Sequence, residues 1–344
     1  MLDTLKYPII QAPMAGGIST PALAAAVSDA GGLGFLAGGY KTAEGLAEDI
    51  QELRQLTSSR FGVNIFVPGP SDADEDAIAA YRLKLEREAE CLGTVLGNPS
   101  ADDDDWNRKL DLVKAERVPF VSFTFGCPSK GIIQELQANG SLVIVTVTCV
   151  EEAKIAADAG ADALCLQGIE AGGHRGTFSN GTDLQEEYGL LVLLRLVKQE
   201  LGIPLIAAGG IMDGRAIAAV IAAGACAAQL GTSFLLCPES GTNPVYREAL
   251  ASPRFTSTRI TRAFTGRRAR GLVNDFMEAY DKEAPAAYPQ LHHMTQGLRK
   301  TAAQNGNPEY MSLWAGQGYR LAQPLPAGEL VRNLTAQLLE QNCE

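Results

Sequence analysis

The segment 167–178 reads Gln-Gly-Ile-Glu-Ala-Gly-Gly-His-Arg-Gly-Thr-Phe and follows a short, largely apolar run at 162–166. A run of this kind is typical of a fully buried strand. It opens directly into glycines that carry a single titratable residue, His174. In β/α barrels the catalytic groups lie at the carboxyl ends of the strands. The pattern therefore predicts a barrel with His174 at its mouth.

Outward from this segment, apolar runs alternate with Ala-rich helical patterns. The predicted strands are 8–11, 33–36, 62–67, 119–124, 142–146, 163–167, 204–208 and 227–231. The predicted helices between them are 20–30, 42–56, 131–138, 150–159, 186–201 and 214–223. This alternation indicates a parallel sheet. Eight units over roughly 235 residues favour an α/β fold of the (β/α)8 TIM-barrel type, for which about 250 residues are typical. A doubly wound open sheet is the weaker alternative, because no G-x-G-x-x-G follows the first strand.

The sequence predicts two domains. Residues 1–237 carry the barrel repeat, and a helical insertion at 69–107 with one charged helix near 77–93 interrupts it. That stretch is too long for an ordinary loop. From 238 to 324 the chain has fewer apolar runs and more Tyr, Arg and Pro, so we expect a mostly helical second domain near the barrel mouth. Residues 325–344 contain an amphipathic helix that is expected to pack back on the barrel.

Composition argues against several kinds of partner and site. The 344 residues have a formal net charge of −11, which disfavours nucleic acid as a partner. The seven cysteines form no C-x-x-C pair, which indicates reduced intracellular thiols and no metal site. The first strand begins at once, without a signal peptide, and no apolar run reaches the ~18 residues of a membrane span. We therefore expect a soluble, cytoplasmic protein without a membrane partner.

Two charge runs are interpreted as solvated surface rather than as binding sites, since charge runs usually are. The acidic run 102–105 is expected to be an exposed loop. The basic run comprises Arg259, Arg262, Arg267, Arg268 and Arg270. Cys127 lies at a strand end and is expected to be buried filler, because no motif pairs it with a base.

Two glycine-bearing segments follow the last two predicted strands, Ala-Ala-Gly-Gly-Ile at 207–211 and Gln-Leu-Gly-Thr at 229–232. The loops after strands 7 and 8 of a barrel are where backbone N–H groups and a short helix terminus bind phosphate. Glycines let the backbone approach, and the Thr232 hydroxyl can add a donor. Tight turns without a ligand are the alternative. The position of both segments favours a phosphate site.

His174 is one of three histidines, and the other two, His292 and His293, lie in the helical region. A lone histidine is often structural. This one follows Gly172 and Gly173 at a strand end, where a packed core histidine would be out of place. Because a histidine titrates near pH ~6.5, it can hold or accept a proton near neutrality. A catalytic role is favoured.

Amide side chains end or interrupt three predicted strands, at Gln11, Asn64 and Gln167. A buried amide needs hydrogen-bond partners, so each is either a core hydrogen bond or a contact to a flat polar heterocycle. Together with a phosphate site opposite, they favour a mononucleotide across the barrel mouth. FMN fits best, with its ring over 12–15, Ala-Pro-Met-Ala, and its phosphate at the last two strands.

Five motifs together resemble the class I nitronate monooxygenases, formerly called 2-nitropropane dioxygenases. They are Q-A-P-M-A-G-G at 11–17, A-G-G-L-G-F at 30–35, F-G-V-N-I-F at 61–66, V-S-F-T-F-G at 121–126 and C-L-Q-G-I-E-A-G-G-H-R-G at 165–176. L-W-A-G-Q at 313–317 extends the resemblance to the C-terminal region. The combination is specific, although related flavin barrels share A-G-G-H.

The resemblance implies an FMN enzyme that detoxifies anionic alkyl nitronates, with propionate 3-nitronate as the physiological substrate. It implies that the nitronate gives one electron to the flavin, forming an anionic semiquinone, and that O2 completes oxidation to a carbonyl compound and nitrite. His174 would act as the base toward a neutral nitroalkane or, as imidazolium, as the anchor of a nitronate. The strand ends and the resemblance together give the expected FMN-binding residues, which are Gln11, Ala12, Pro13, Met14, Asn64, Gln167, Gly172, Gly173, Gly209, Gly210, Gln229, Leu230, Gly231 and Thr232.

Two reductases are the alternatives on the same fold, an NAD(P)H-dependent quinone reductase and an FMN-dependent enoyl-thioester reductase. A flavin-binding carrier without turnover is a third reading, which His174 in an open mouth disfavours. Substrate contacts from the second domain, with Tyr288 and Lys300 as candidates, are unassigned. The role of Arg175 is open between an anion contact and a surface pair. The oligomeric state is also open, with a homodimer as one option.

Overall fold

The computed structural model describes residues 5–69, 73–181 and 186–341. The strands of the first half are β1 (Ile9–Gln11), β2 (Gly34–Ala37), β3 (Phe61–Phe66), β4 (Phe120–Thr124), β5 (Leu142–Val147) and β6 (Ala163–Gln167). They are followed by the two-residue β7 (Gly173–His174), β8 (Leu205–Ala208) and β9 (Ala227–Leu230). All except β7 form one eight-stranded parallel sheet in the order β1-β9-β8-β6-β5-β4-β3-β2.

A parallel bridge between Ile10 and Leu33 joins the two ends of this sheet and closes the barrel. The predicted (β/α)8 TIM barrel is therefore confirmed, and the eight predicted strands lie within one residue of the observed bounds. Apolar side chains such as Phe35, Phe120 and Ile206 fill the barrel interior. This packing leaves the carboxyl ends of the strands as the open end.

Helices surround the sheet. Their bounds are α1 (Pro21–Asp29), α2 (Ala43–Leu56), α3 (Glu75–Leu92), α4 (Trp106–Ala115), α5 (Lys130–Ala138), α6 (Val150–Ala159), α7 (Leu190–Glu200) and α8 (Gly214–Ala222). Side-chain caps set several starts, as at Thr20, which accepts a hydrogen bond from Leu23 N at 3.0 Å. α7 begins later than predicted. The Glu170 carboxylate, from the loop after β6, accepts the Leu190 N–H at 3.0 Å.

The charged helix predicted in the insertion is present as α3, and a second helix that was not predicted, α4, follows it before β4. The expectation that 102–105 is merely an exposed loop is wrong for its second half. Asp104 accepts a hydrogen bond from Tyr40 N at 2.8 Å and lies 2.8 Å from the Nζ of Lys109, which has no exposed surface. Asp105 accepts the Ala43 N–H at the start of α2. These carboxylates fasten the insertion to the barrel.

After the barrel the chain forms α9 (Pro244–Ala251), β10 (Thr258–Thr261), β11 (Ala269–Leu272), α10 (Asp275–Tyr280) and α11 (Gln290–Gln304), and the final helix is α12 (Ala327–Gln341). β10 and β11 form an antiparallel pair, and β11 also pairs with β7 so that Ala269 lies opposite His174. This three-stranded sheet was not predicted. Leu330 and Leu334 of α12 pack in the same apolar cluster as Val27 of α1. The division into two domains stays a prediction, and Cys343 lies outside the described residues.

Candidate active site

A cavity opens at the carboxyl ends of the barrel strands. With its mouth it encloses about 1200 Å³ that protein atoms do not fill. The lining includes Ala12, Pro13, Met14, Asn64, Gln167, Gly172, Gly173, His174, Gly209, Gly210, Gln229, Leu230, Gly231 and Thr232. These residues come from different strands and are brought together by barrel closure. The predicted site residues therefore share one cavity, with the exception of Gln11.

Gln11 has no exposed surface and lies behind the cavity wall. Its amide nitrogen donates to Ala12 O and to Ser19 Oγ, and its amide oxygen accepts the Phe35 N–H at 2.9 Å. Ser19 Oγ in turn accepts the Met14 N–H at 2.8 Å. Of the alternatives left open for this amide, the geometry fits the core hydrogen bond, which holds the loop after β1 in place.

Of the other three amide side chains, two can contact a ligand and one is hydrogen-bonded to the protein through both its nitrogen and its oxygen. Asn64 donates from Nδ2 to Ser122 Oγ at 2.9 Å and to Thr124 Oγ1 at 3.0 Å, so its Oδ1 is the atom that can accept from a ligand. The Gln229 side chain lines the cavity and has no hydrogen bond to protein within the described chain. Gln167 is committed to the protein, because Nε2 donates to His174 O and Oε1 accepts the Gly176 N–H at 2.8 Å.

Arg175 supports the same loop. Its side chain is buried and donates to Gln167 Oε1 at 2.9 Å and to Gly168 O at 2.7 Å. It is therefore neither exposed nor paired on the surface. Together Gln167 and Arg175 fix the His174 loop against the end of β6.

The glycine segments after β8 and β9 form one wall of the cavity. Gly209 and Gly210 have φ values of 129° and 68°, in the range that favours glycine. A side chain at Gly172 would overlap the backbone of Gly316, so glycine is required for this close approach. The Thr232 hydroxyl accepts the Gly316 N–H at 3.0 Å and retains its own proton for donation. The wall is a backbone surface suited to an anionic group.

His174 projects into the cavity among aromatic rings. The ring centroids of Trp314, Phe125 and Tyr288 lie 5.4, 5.9 and 5.9 Å from that of the imidazole. Its Nε2 lies 2.9 Å from the Thr265 hydroxyl. Burial, with the nearby cations Arg267 and Arg299, lowers the pKa of His174 to about 3. The resting imidazole is thus neutral, and the imidazolium form needs an anion or a transferred proton to exist.

Most of the aromatic residues that line the cavity, called the aromatic wall below, were not predicted from the sequence. Tyr40, Phe66, Phe125 and Trp314 line the cavity. Tyr288 donates to Tyr40 Oη at 3.2 Å, so the Tyr40 hydroxyl proton is available to a ligand. The sequence motifs at 121–126 and 313–317 contained Phe125 and Trp314 without assigning them. The positive φ of 78° at Phe125, a signal that sequence does not carry, marks it as an unusual backbone position.

The expectation of a solvated basic face is wrong for Arg267 and Arg270, which are 5% and 6% exposed. Arg267 stacks on Phe125, with 4.0 Å from the guanidinium carbon to the ring centroid. Within the described chain its guanidinium donates to neutral oxygens, those of Arg175 and Thr177. Arg299 likewise donates to Thr295 Oγ1 and to His292. Within the described chain neither cation has a carboxylate partner. Their positive charge therefore lies behind Phe125 and Tyr40 of the cavity lining.

Other candidate centres contribute little. Burial raises the pKa of the Cys127 thiol to about 11, which keeps it protonated and weakly nucleophilic. Within residues 5–69, 73–181 and 186–341 there is no His, Cys, Asp and Glu cluster that could hold a metal ion. In the same ranges no helix is long and apolar enough to cross a membrane. His174 therefore stays the candidate catalytic residue of the cavity.

Comparison with known proteins decides the family. Residues 1–337 match the sequence model described as "Nitronate monooxygenase". The chain belongs to the nitronate monooxygenase family. A curated nitronate monooxygenase from Pseudomonas aeruginosa is 44% identical over 343 residues, which cover 97% of each chain. The family resemblance inferred from the motifs is therefore confirmed.

Two solved structures resemble the chain over nearly its whole length. The nitroalkane oxidase from Streptomyces ansochromogenes has a TM-score of 0.96 and 51% identity, with 99% of this chain and 98% of that chain covered. FabK from Thermotoga maritima has a TM-score of 0.77 and 31% identity, with 99% and 95% covered. The chain is thus an oxidoreductase of the nitronate-oxidising class.

Proposed function

We propose that this enzyme uses FMN and O2 to oxidise anionic alkyl nitronates, with propionate 3-nitronate as the leading substrate, to a carbonyl compound and nitrite. The observation that carries the proposal is the cavity itself. It combines a neutral His174 with a glycine-lined backbone wall. Next to its lining lie the buried Arg267 and the half-buried Arg299, which have no carboxylate partner within the described chain. A redox cofactor and a small anion would occupy opposite ends of this space.

The residues present fit FMN. The backbone at Gly209, Gly210 and Gly231 with the Thr232 hydroxyl would hold the phosphate, because glycines allow close approach and N–H groups favour an anion. Asn64 Oδ1 and the free amide of Gln229 would meet the polar edge of the ring. Bound FMN would take electrons from the substrate one at a time and pass them to O2.

The protein's own contribution lies at the substrate end. Arg267 and Arg299 would attract a nitronate, and a second negative group such as a carboxylate would strengthen that attraction. The Tyr40 hydroxyl can donate to a nitronate oxygen. Neutral His174 would remove the proton from the carbon next to a nitro group, and the imidazolium that results would donate to the nitronate. The aromatic wall excludes water and so strengthens these interactions.

The test is an anaerobic visible spectrum of the purified holoenzyme, first with propionate 3-nitronate and then, separately, with NADH. We expect a yellow protein whose flavin absorption changes to that of the one-electron-reduced form with nitronate and does not respond to NADH. Admission of O2 should restore the yellow colour and release nitrite. Full bleaching by NADH alone would favour a reductase on the same fold, and a protein that cannot be loaded with FMN would refute both readings.

A further inference from the structure

The Thr265 hydroxyl lies in the turn between β10 and β11 and is the polar partner of the His174 ring. Thr265 is 1% exposed, and its Oγ1 is within hydrogen-bonding reach of three atoms. These are His174 Nε2 at 2.9 Å, Arg267 O at 3.2 Å and Arg267 N at 3.4 Å. A hydroxyl has one proton to donate and two lone pairs, so the three contacts can be assigned.

The Arg267 N–H is always a donor, so Oγ1 accepts there. The Thr265 proton then goes either to Arg267 O or to His174 Nε2. If it went to His174, Arg267 O would lose its hydrogen-bond donor within the described chain, and an unsatisfied buried carbonyl is unfavourable. If it goes to Arg267 O, every contact is satisfied provided that His174 Nε2 carries a proton and donates it to Oγ1.

The turn that carries Thr265 is held from several sides. The Thr265 and Gly266 N–H groups both donate to Arg262 O, and Asn180 Nδ2 donates to Gly266 O at 2.9 Å. Gly266 has a φ of 75°, and a side chain there would overlap the backbone of Ala287. The hydroxyl therefore has a fixed place, and the imidazole must adapt to it.

The other ring nitrogen faces the cavity. His174 Nδ1 has no hydrogen-bond partner within the described chain, and it is not among the buried atoms that lack one. His174 lines the cavity, so Nδ1 is accessible from it. An imidazole with its proton on Nε2 has its free lone pair on this atom.

We propose that Thr265 is a positioning residue that holds neutral His174 in the Nε2–H tautomer, so that Nδ1 is the atom that removes a proton from a neutral nitroalkane. The inference rests on the proposed function of His174. In this step the C–H bond next to the nitro group breaks and its electron pair moves into that group to give the nitronate. The proton forms a new bond to Nδ1, and Nε2–H still donates to Thr265 in the resulting imidazolium.

The tautomer can be observed directly, because the chain has only three histidines. Holoenzyme with 15N-labelled histidine is studied by long-range 1H–15N NMR, and the His174→Asn variant assigns the His174 signals. We expect the Nε2–H pattern in wild type and in Thr265→Ser, and a mixed or Nδ1–H pattern in Thr265→Val. A wild-type Nδ1–H pattern, or an unchanged pattern in Thr265→Val, would overturn the proposal.

Kinetic measurements distinguish a positioning role of Thr265 from a general effect of its substitution on folding. With a neutral nitroalkane, kcat of Thr265→Val should fall roughly tenfold or more, and Thr265→Ser should recover most of it. With the preformed nitronate, which needs no proton removal, Thr265→Val should stay within about twofold of wild type, since the base step is bypassed. Equal losses on both substrates would contradict the proposal. If wild type oxidised neither substrate, the proposed function would fail, and the NMR spectrum would still decide the tautomer.

Discussion

At the scale of single residues, the protonation state of His174 is set by the groups that oppose its protonation. Its pKa is lowered to about 3 by burial and by Arg267 and Arg299, whereas a free histidine titrates near ~6.5. Since the neutral ring persists through pH 5, kcat/KM for a neutral nitroalkane should be level between pH 5 and 7. A free histidine base would lose activity over that range as pH falls.

His174→Ala is expected to retain FMN but to lose turnover of a neutral nitroalkane. Removal of a positioned general base costs about 10²- to 10⁴-fold in rate, whereas the proposed FMN contacts lie on other residues. FMN content is measured from the visible absorbance per protein, and turnover from nitrite release. His293→Ala is the matched control, because His293 lies 2.7 Å from Asp102 and does not line the cavity. Wild-type turnover in His174→Ala would show that the catalytic assignment is wrong.

A further prediction concerns the positive charge of Arg267, which lies buried behind Phe125. In Arg267→Met the cation is removed while most of the packing volume is kept. KM for an anionic nitronate should rise roughly tenfold, equivalent to about 1.4 kcal/mol, with a smaller change in kcat. Arg259→Met is the control, because Arg259 is partly exposed and pairs with Glu278 at 3.0 Å. An unchanged KM in Arg267→Met would mean that this charge does not attract the substrate.

At the scale of secondary-structure elements, the barrel depends on close approach between helices and strands. Gly34 begins β2, and a side chain there would overlap the Ala24 backbone of α1. We expect Gly34→Ala to reduce the free energy of unfolding by about 1–3 kcal/mol, the usual effect of overpacking. Chemical denaturation measures it. Gly202→Ala is the control, because its new methyl group would meet no atom within 4 Å, and an equal loss in both variants would contradict the explanation.

The secondary-structure elements differ in how well local sequence patterns predict them. The barrel strands were predicted because each is a run of buried residues with punctuation at both ends. α4 was missed because the acidic run before it resembles a solvated loop, while Asp104 and Asp105 in fact bind the backbone of Tyr40 and Ala43. The β10–β11 pair was missed because its strands are four residues each and rich in arginine. Their pairing with β7 is a long-range contact without a local signal.

At the scale of the whole molecule, the net charge and the site have opposite signs. The chain has a formal charge of −11, yet the buried Arg267, which has no carboxylate partner within the described chain, stacks on Phe125 of the cavity lining. The net charge therefore describes the chain as a whole and does not predict the electrostatic field in the cavity. A small anionic substrate responds to the local field, which the cavity walls concentrate.

The last prediction concerns how the free energy of unfolding depends on pH in acid. Burial and Arg299 lower the pKa of His292 to about 2, while a histidine in the unfolded chain titrates near ~6.5. As pH falls below 6.5, the unfolded chain binds the proton first, so this contribution to stability is complete above 6.5 and is lost toward pH 2. With FMN in excess, the free energy of unfolding of His292→Asn should depend less on pH between 6.5 and 4.5 than that of wild type. Parallel curves would contradict this.

The sequence by itself determined the barrel, the family and most of the cavity lining. Those features depend on local signals, namely buried strand runs, glycines where the backbone needs them, and His174 at a strand end. Only the tertiary structure decided which groups surround His174. Thr265, Arg267 and Tyr288 are about 90 or more residues away in sequence, and they reach the imidazole because the chain after the barrel packs over its mouth. Hydrogen bonds, stacking and burial at such distances depend on how elements pack, which no local pattern of residues specifies.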